Sequence, residues 1–150
     1  MRPIHHAIAG GLAMSIIAIF WISTIFSELF MDATTVAMVK HAIVMGLFLL
    51  VPCMAATGGT GAALSGMRKG TLLDRKKKRI TIIGANGLLV MIPAAIFLDD
   101  KAAAGEFDVA FYLVQGAELS IGIIQISLMA MNFRDGLRLA GKLKPPAAES

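Results

Sequence analysis

Apolar residues run through this chain in four long blocks: Ile8 to Phe30, about Ala42 to Leu64, Ile80 to Leu98, and Val109 to Met131. A helix needs roughly 20 such residues to cross the hydrocarbon core of a bilayer. The first, second and fourth blocks are long enough to tilt. The third is shorter but carries no charge. None alternates apolar and polar residues at every second position, as the strands of a membrane barrel must. The pattern predicts four membrane-spanning helices. Their connections are short, so neighbours should run antiparallel, giving an all-α up-down bundle that forms one transmembrane domain over residues 1–150.

Composition agrees with that assignment. Of 150 residues, 57% are hydrophobic and 16% charged, with a mean hydropathy of +0.75. That is too apolar for an ordinary soluble globule. The four spans leave little chain for a soluble catalytic domain, and the segment 143–150 reads as a flexible tail. The first block is too long for a secretory signal, and Ser27 to Asp32 makes a poor small-residue cleavage site. It reads as a retained anchor. Cys53, the single cysteine, lies within the second block, so no intrachain disulfide forms, and neither CxxC nor CxxCH occurs.

The charges set an expected threading. Twelve basic residues lie at the N-terminus, the second junction and the tail: Arg2, Arg68, Lys69, Arg75, Lys76, Lys77, Lys78, Arg79, Arg134, Arg138, Lys142 and Lys144. Two, Lys40 and Lys101, lie at the first and third junctions, beside Glu28, Asp32, Asp99, Asp100, Glu106 and Asp108. Lysine and arginine stay on the cytoplasmic side during insertion, so both termini and the 68–79 loop should be cytoplasmic. A multi-pass protein of a bacterial-type inner membrane is expected. The Arg68–Arg79 stretch should rest against anionic headgroups. No aromatic or recognition motif accompanies it to suggest nucleic acid. Close helix packing in lipid relies on small residues. Ala7, Gly11 and Ser15, then Ala9 and Ala13, then Gly58, Ala62 and Gly66 supply them at steps of four. The Gly58–Gly61 stretch could also loosen its helix.

Polar groups at bilayer depth are costly, and so are candidates for function. Glu118 lies nine residues into the fourth span, about 14 Å from its outer boundary at 1.5 Å per residue. Gln115, Glu118, Gly122, Gln125, Met129 and Asn132 follow steps of three and four, so one helical face is polar and must turn from lipid. Trp21 and Pro52 fall at about the depth of Glu118. Pro93 should free the carbonyl of Leu89 at that level too. A protonated Glu118 could donate to such a carbonyl, and Trp21 could supply an indole N–H. Asn86 lies near the level of Gln125, which predicts a hydrogen bond between those helices.

His5 and His6 fall at the inner mouth and His41 at the outer, so one heme cannot bridge them. His6 or His41 could each still ligate heme b, or bind quinone, with another partner. His41 beside Lys40, facing Glu28 and Asp32, reads instead as an interfacial charge cluster. Known four-span classes are not matched: a disulfide-forming enzyme needs paired cysteines, a small multidrug exporter a carboxylate within its first span, and a diheme carrier histidine pairs within the spans. With no nucleophile–base pair and no metal constellation, an aqueous-phase enzyme is disfavoured. The expected role is an accessory, assembly or stabilising subunit of a larger membrane complex, associated with other subunits or with itself. A heme- or quinone-binding redox protein and a small proton-coupled carrier using Glu118 are the alternatives.

Overall fold

The computed structural model describes residues 3–65, 71–139 and 141, with no side-chain detail for residues 3–5, 61–65, 72, 73 and 139. The expectations placed on Ala62, Gly66, Arg68, Lys69 and the 143–150 tail lie outside this description. Helix α1 runs Pro3–Phe30, α2 Ala33–Ser65, α3 Thr71–Asn86, α4 Ile92–Ala103 and α5 Val109–Leu139. A π-helical turn, Gly87–Met91, joins α3 to α4, so those two form the third rod. Four rods are long and apolar enough to cross a membrane.

The rods pack as a ring. α1 packs on α2 and α5, α2 on α4, and α5 on both α3 and α4. Among the described residues no Cα of α2 lies within 8 Å of α5, so these two face each other diagonally. One end of the bundle carries the short connections α1–α2 and α4–α5; the other carries the start of α1 at Pro3 and the end of α5 at Leu139.

Side chains that water would reject cover the outside: Ile19, Phe48, Leu89 and Leu113 are each at least 60% exposed. In lipid such a surface is the expected one, and the inside must be held by shape and polar bonds. Two apolar clusters lie within. Val36, Leu98, Ala102 and Phe111 fill the short-loop end. Ala13, Ile17, Leu50, Ile83 and Met129 fill the rest.

The short connections are built by capping. The Asp32 carboxylate accepts from the Thr35 amide at 2.8 Å, and Asp108 from the Phe111 amide at 2.9 Å. α4 ends where Gly105 adopts φ +71, a left-handed turn that glycine tolerates without strain. Lys101 then bonds Glu106 and Asp108 at 2.8 and 2.7 Å.

Helices outrun the apolar blocks. α2 begins at Ala33, nine residues before the block starting at Ala42, and α3 begins at Thr71 instead of near Ile80. The basic run is therefore helical. The wide turn before Pro93 has a local cause. A proline has no N–H for the carbonyl four residues back and crowds it, and the π turn, closed by Ile92 N–H to Gly87 O, is the irregularity that takes this up.

Candidate functional site

The face expected on α5 turns inward. Phe111, Gln115, Gly122, Gln125, Met129 and Asp135 are buried, and Glu118 and Asn132 half-buried, while Ser120, Ile123 and Ile124 point outward. Along this face the polar side chains gather at three levels.

Nearest the short loops, Lys40 of α2 is 2% exposed and donates to Gln115 Oε1. The Gln115 amide Nε2 donates to Glu118 Oε2 at 3.1 Å. Lys40 Nζ also lies 3.1 Å from Glu28 Oε1, close enough for an ion pair but off the line a hydrogen bond needs. That oxygen is buried with no hydrogen-bond donor. Glu118 lies within electrostatic range of both Lys40 and Glu28. The layer thus joins α1, α2 and α5 and contains two acids against one base. Phe111, one turn outward on α5, packs its ring 5.8 Å from Lys40 Nζ. With Val36, Leu98 and Ala102 it forms an apolar plug between the charges and the short-loop end.

Just inward, Trp21 donates its indole N–H to the Leu119 carbonyl at 3.0 Å. Gly122 makes room for it: a Cβ there would meet Trp21 Cδ1 at 2.9 Å. The neighbouring Phe20 lies over Gly46 of α2, where a Cβ would collide with its ring. At the next level Asn86 Nδ2 donates to Gln125 Oε1 at 3.0 Å, and Gln125 Nε2 donates to the Ile83 carbonyl at 3.0 Å. This is the interhelical pair that depth matching predicts. Gly87 lies against this amide, its Cβ position in ordinary contact with Gln125 Nε2 at 3.6 Å.

At the terminal end, Asp135 of α5 is 1% exposed and pairs with Arg79 of α3 at 2.6 Å and Arg138 at 3.5 Å. Arg79 also reaches Asn132 at 3.4 Å. Lys76 lies against Gly136 and within electrostatic range of Asp135 and His6. His6 Nδ1 is 3.1 Å from both the Thr57 carbonyl and the Thr60 hydroxyl, tying α1 to α2.

Several expected contacts are replaced by others. Glu118 neither accepts from the Trp21 indole nor donates to the Leu89 carbonyl; its hydrogen bond comes from Gln115, three residues back on its own helix. Trp21 is level with it but satisfied by backbone. The outer charge cluster is split. Lys40 pairs with Glu28, but His41, 65% exposed, meets Asp99 at 3.2 Å, and Asp32 is spent as a cap. Gly58 has no described atom within 4 Å of its Cβ position, so backbone-close packing is not seen there; Gly10, by contrast, meets Thr57 at 3.4 Å.

Sequence reasoning puts Lys40 in an interfacial cluster and not inside the bundle, gives Arg79 only a part in the threading, and assigns nothing to Asp135. Lys40 had a signal: it is a lone charge within Val36-Ala37-Met38-Val39-Lys40-His41-Ala42-Ile43, embedded on both sides in apolar sequence. Asp135 had one too, continuing the α5 face three residues past Asn132. His6 and His41 lie at opposite ends of the bundle, and among the described residues no group of three His, Cys, Asp or Glu side chains is placed to hold a metal ion. Compared with known protein families, curated proteins and solved structures, the chain matches none.

Proposed function

We propose that this chain is an accessory or stabilising subunit of a larger membrane assembly, in a bacterial-type inner membrane, with both termini and the basic 68–79 segment on the cytoplasmic side. One observation carries the reading: Lys40 and Arg79, basic side chains within the bundle, are paired with acids on other helices. Lys40 ties α2 to α1 and α5, and Arg79 ties α3 to α5. Such groups fasten a scaffold. The outward faces are largely apolar, as a surface meeting lipid or other transmembrane helices requires. Arg75, Lys77 and Lys78 are exposed, free to lie against an anionic leaflet.

The test is extraction in native polymer discs followed by mass spectrometry of what accompanies the chain. Fixed stoichiometry with other membrane subunits supports the proposal; recovery of the chain alone, at every expression level, contradicts it. Threading is tested in a Cys53→Ser background, where Lys77→Cys should react with an impermeant thiol reagent from the cytoplasmic side only.

A second reading is favoured by a separate observation. The Glu28–Lys40–Glu118 layer holds one more acid than base inside the bundle, and an uncompensated charge there is expensive. A proton on one carboxyl removes the excess, so a proton-coupled carrier centred on Glu118 is the alternative. Proton flux into vesicles that is abolished by Glu118→Gln would establish it. The heme or quinone reading through His6 or His41 draws less support, since neither histidine faces the other; a Soret band in the purified protein would restore it.

A further inference from the structure

We propose that the terminal end of the bundle, between α3 and α5, binds the phosphate of one anionic phospholipid through Lys76, Arg79 and Arg138. This deepens the reading that the basic segment meets an anionic leaflet, and rests on it.

Charge and placement carry the argument. Three cations converge on one carboxylate: Arg79 and Arg138 contact Asp135 directly, and Lys76 lies beside Gly136 within electrostatic range of the same acid. One acid against three bases leaves two positive charges uncompensated. These three side chains are half-buried, so water and salt screen them less than the exposed Arg75, Lys77 and Lys78. Asp135 is too deeply buried to serve as a ligand contact, and its effect is to orient the guanidinium groups. Among the described residues Arg79 directs only Nη1, at Asp135 and Asn132, leaving Nη2 and Nε, while Arg138 uses only Nη1 on Asp135. A phosphodiester accepts several charge-assisted hydrogen bonds from such forked donors.

The depth is right for a headgroup. Lys76 and Arg79 are one turn apart near the start of the third membrane-spanning segment, Asp74–Ala103, and Arg138 is the last residue of the fourth, Val109–Arg138. A lipid phosphate lies at this boundary between hydrocarbon and water. Exposed lysines alone give diffuse attraction; a half-buried surplus beside a fixed carboxylate gives a site for one occupant.

The experiment is native mass spectrometry of the full chain released from nanodiscs of equal parts phosphatidylcholine and phosphatidylglycerol. One phosphatidylglycerol should remain bound per chain. Lys76→Gln with Arg138→Gln should reduce that retention about thirtyfold, as expected from the loss of two charges near a lipid surface. Lys77→Gln with Lys78→Gln should keep the retained lipid while lowering the general enrichment of phosphatidylglycerol around the protein. Lys76→Arg should bind as the parent does. If the double variant does not fold, as judged by helicity, Arg138→Gln alone should still weaken retention several-fold. The proposal is overturned by unchanged retention in Lys76→Gln/Arg138→Gln, by equal loss in the exposed pair, by equal retention of phosphatidylcholine, or by displacement with excess inorganic phosphate, which would mark a free-phosphate site. If the exposed pair leaves enrichment unchanged, the broader headgroup reading fails while the specific site stands.

Discussion

Lys40 of α2 and Gln115 of α5 meet across the diagonal of the bundle, between two helices whose backbones do not approach each other. A lysine stem is long enough to cross that gap and apolar enough to lie in it. Its ammonium then finds Glu28 on α1, and through the Gln115 amide it is linked to Glu118. One side chain thereby couples three of the four rods.

Removing it should be expensive. Lys40→Met leaves the half-buried carboxyls of Glu28 and Glu118 without their buried cation, and breaking a buried pair in this way costs about 3 kcal/mol or more. Steric-trap unfolding in bicelles would measure the loss. Restoring charge balance with Lys40→Met/Glu28→Gln should recover part of it. If the single variant is as stable as the parent, the lysine is not buried in an ion pair.

The glycine seats make a second prediction. Gly122→Ala forces the indole of Trp21 off Gly122 and away from the Leu119 carbonyl. Overpacking of this kind costs about 1–3 kcal/mol. As Trp21 is the single tryptophan, its fluorescence reports the change without interference. Emission should shift in Gly122→Ala and stay put in Gly116→Ala, where the added methyl meets open space.

Asn86 and Gln125 should be coupled. Polar pairs between transmembrane helices are worth about 0.6 kcal/mol on average and about 1.7 at most. Gln125 also holds the Ile83 carbonyl, so Gln125→Ala should cost more than Asn86→Ala. A double-mutant cycle with a coupling energy of zero would show that the amides do not meet.

Acid should loosen the short-loop end first. Asp32, outside the spans, is held below the ordinary carboxylate range by its side-chain bond to Thr35 and then by the Thr35 amide. Asp108 is held low by Lys101 first and by the Phe111 amide second. A carboxyl whose folded value lies below its unfolded value stabilises fully above the unfolded value, and that contribution is lost as pH falls through the folded one. Hydrogen exchange at the Thr35 amide should therefore speed up in acid beyond its intrinsic pH dependence, and Asp32→Asn, which still caps, should remove that excess. Equal protection of this amide at all pH values would contradict the capping role.

The architecture was legible because lipid imposes a blunt rule: apolar blocks of the right length must become helices. The inward face of α5 was legible for the same reason, since its polar steps recur over about five turns and have nowhere else to point. Lys40 was not. It stands next to His41, and neighbouring helical positions point about 100° apart, so pattern alone could not say which of the two turned inside. The apolar block also begins only at Ala42, after both of them, whereas the helix begins at Ala33 and carries Lys40 about two turns inward. Arg79 was hidden by a different confusion. Charges that sort a chain across the membrane and charges that pair inside it look alike in sequence, and only the helical geometry of Thr71–Asn86 separates Lys76 and Arg79 from their exposed neighbours.

The inward orientation of the α5 face underlies every assignment made for this protein, and oxygen-collision scanning reads it directly. Nitroxides placed singly at each position from 111 to 135, in a Cys53→Ser background and in bilayers, should show oxygen accessibility oscillating with the helical period. Minima should fall at Gln115, Gly122, Gln125 and Met129 and maxima at Gly116, Ser120, Ile123 and Ile124. Maxima at the glutamines, or an accessibility that does not oscillate, would contradict the account.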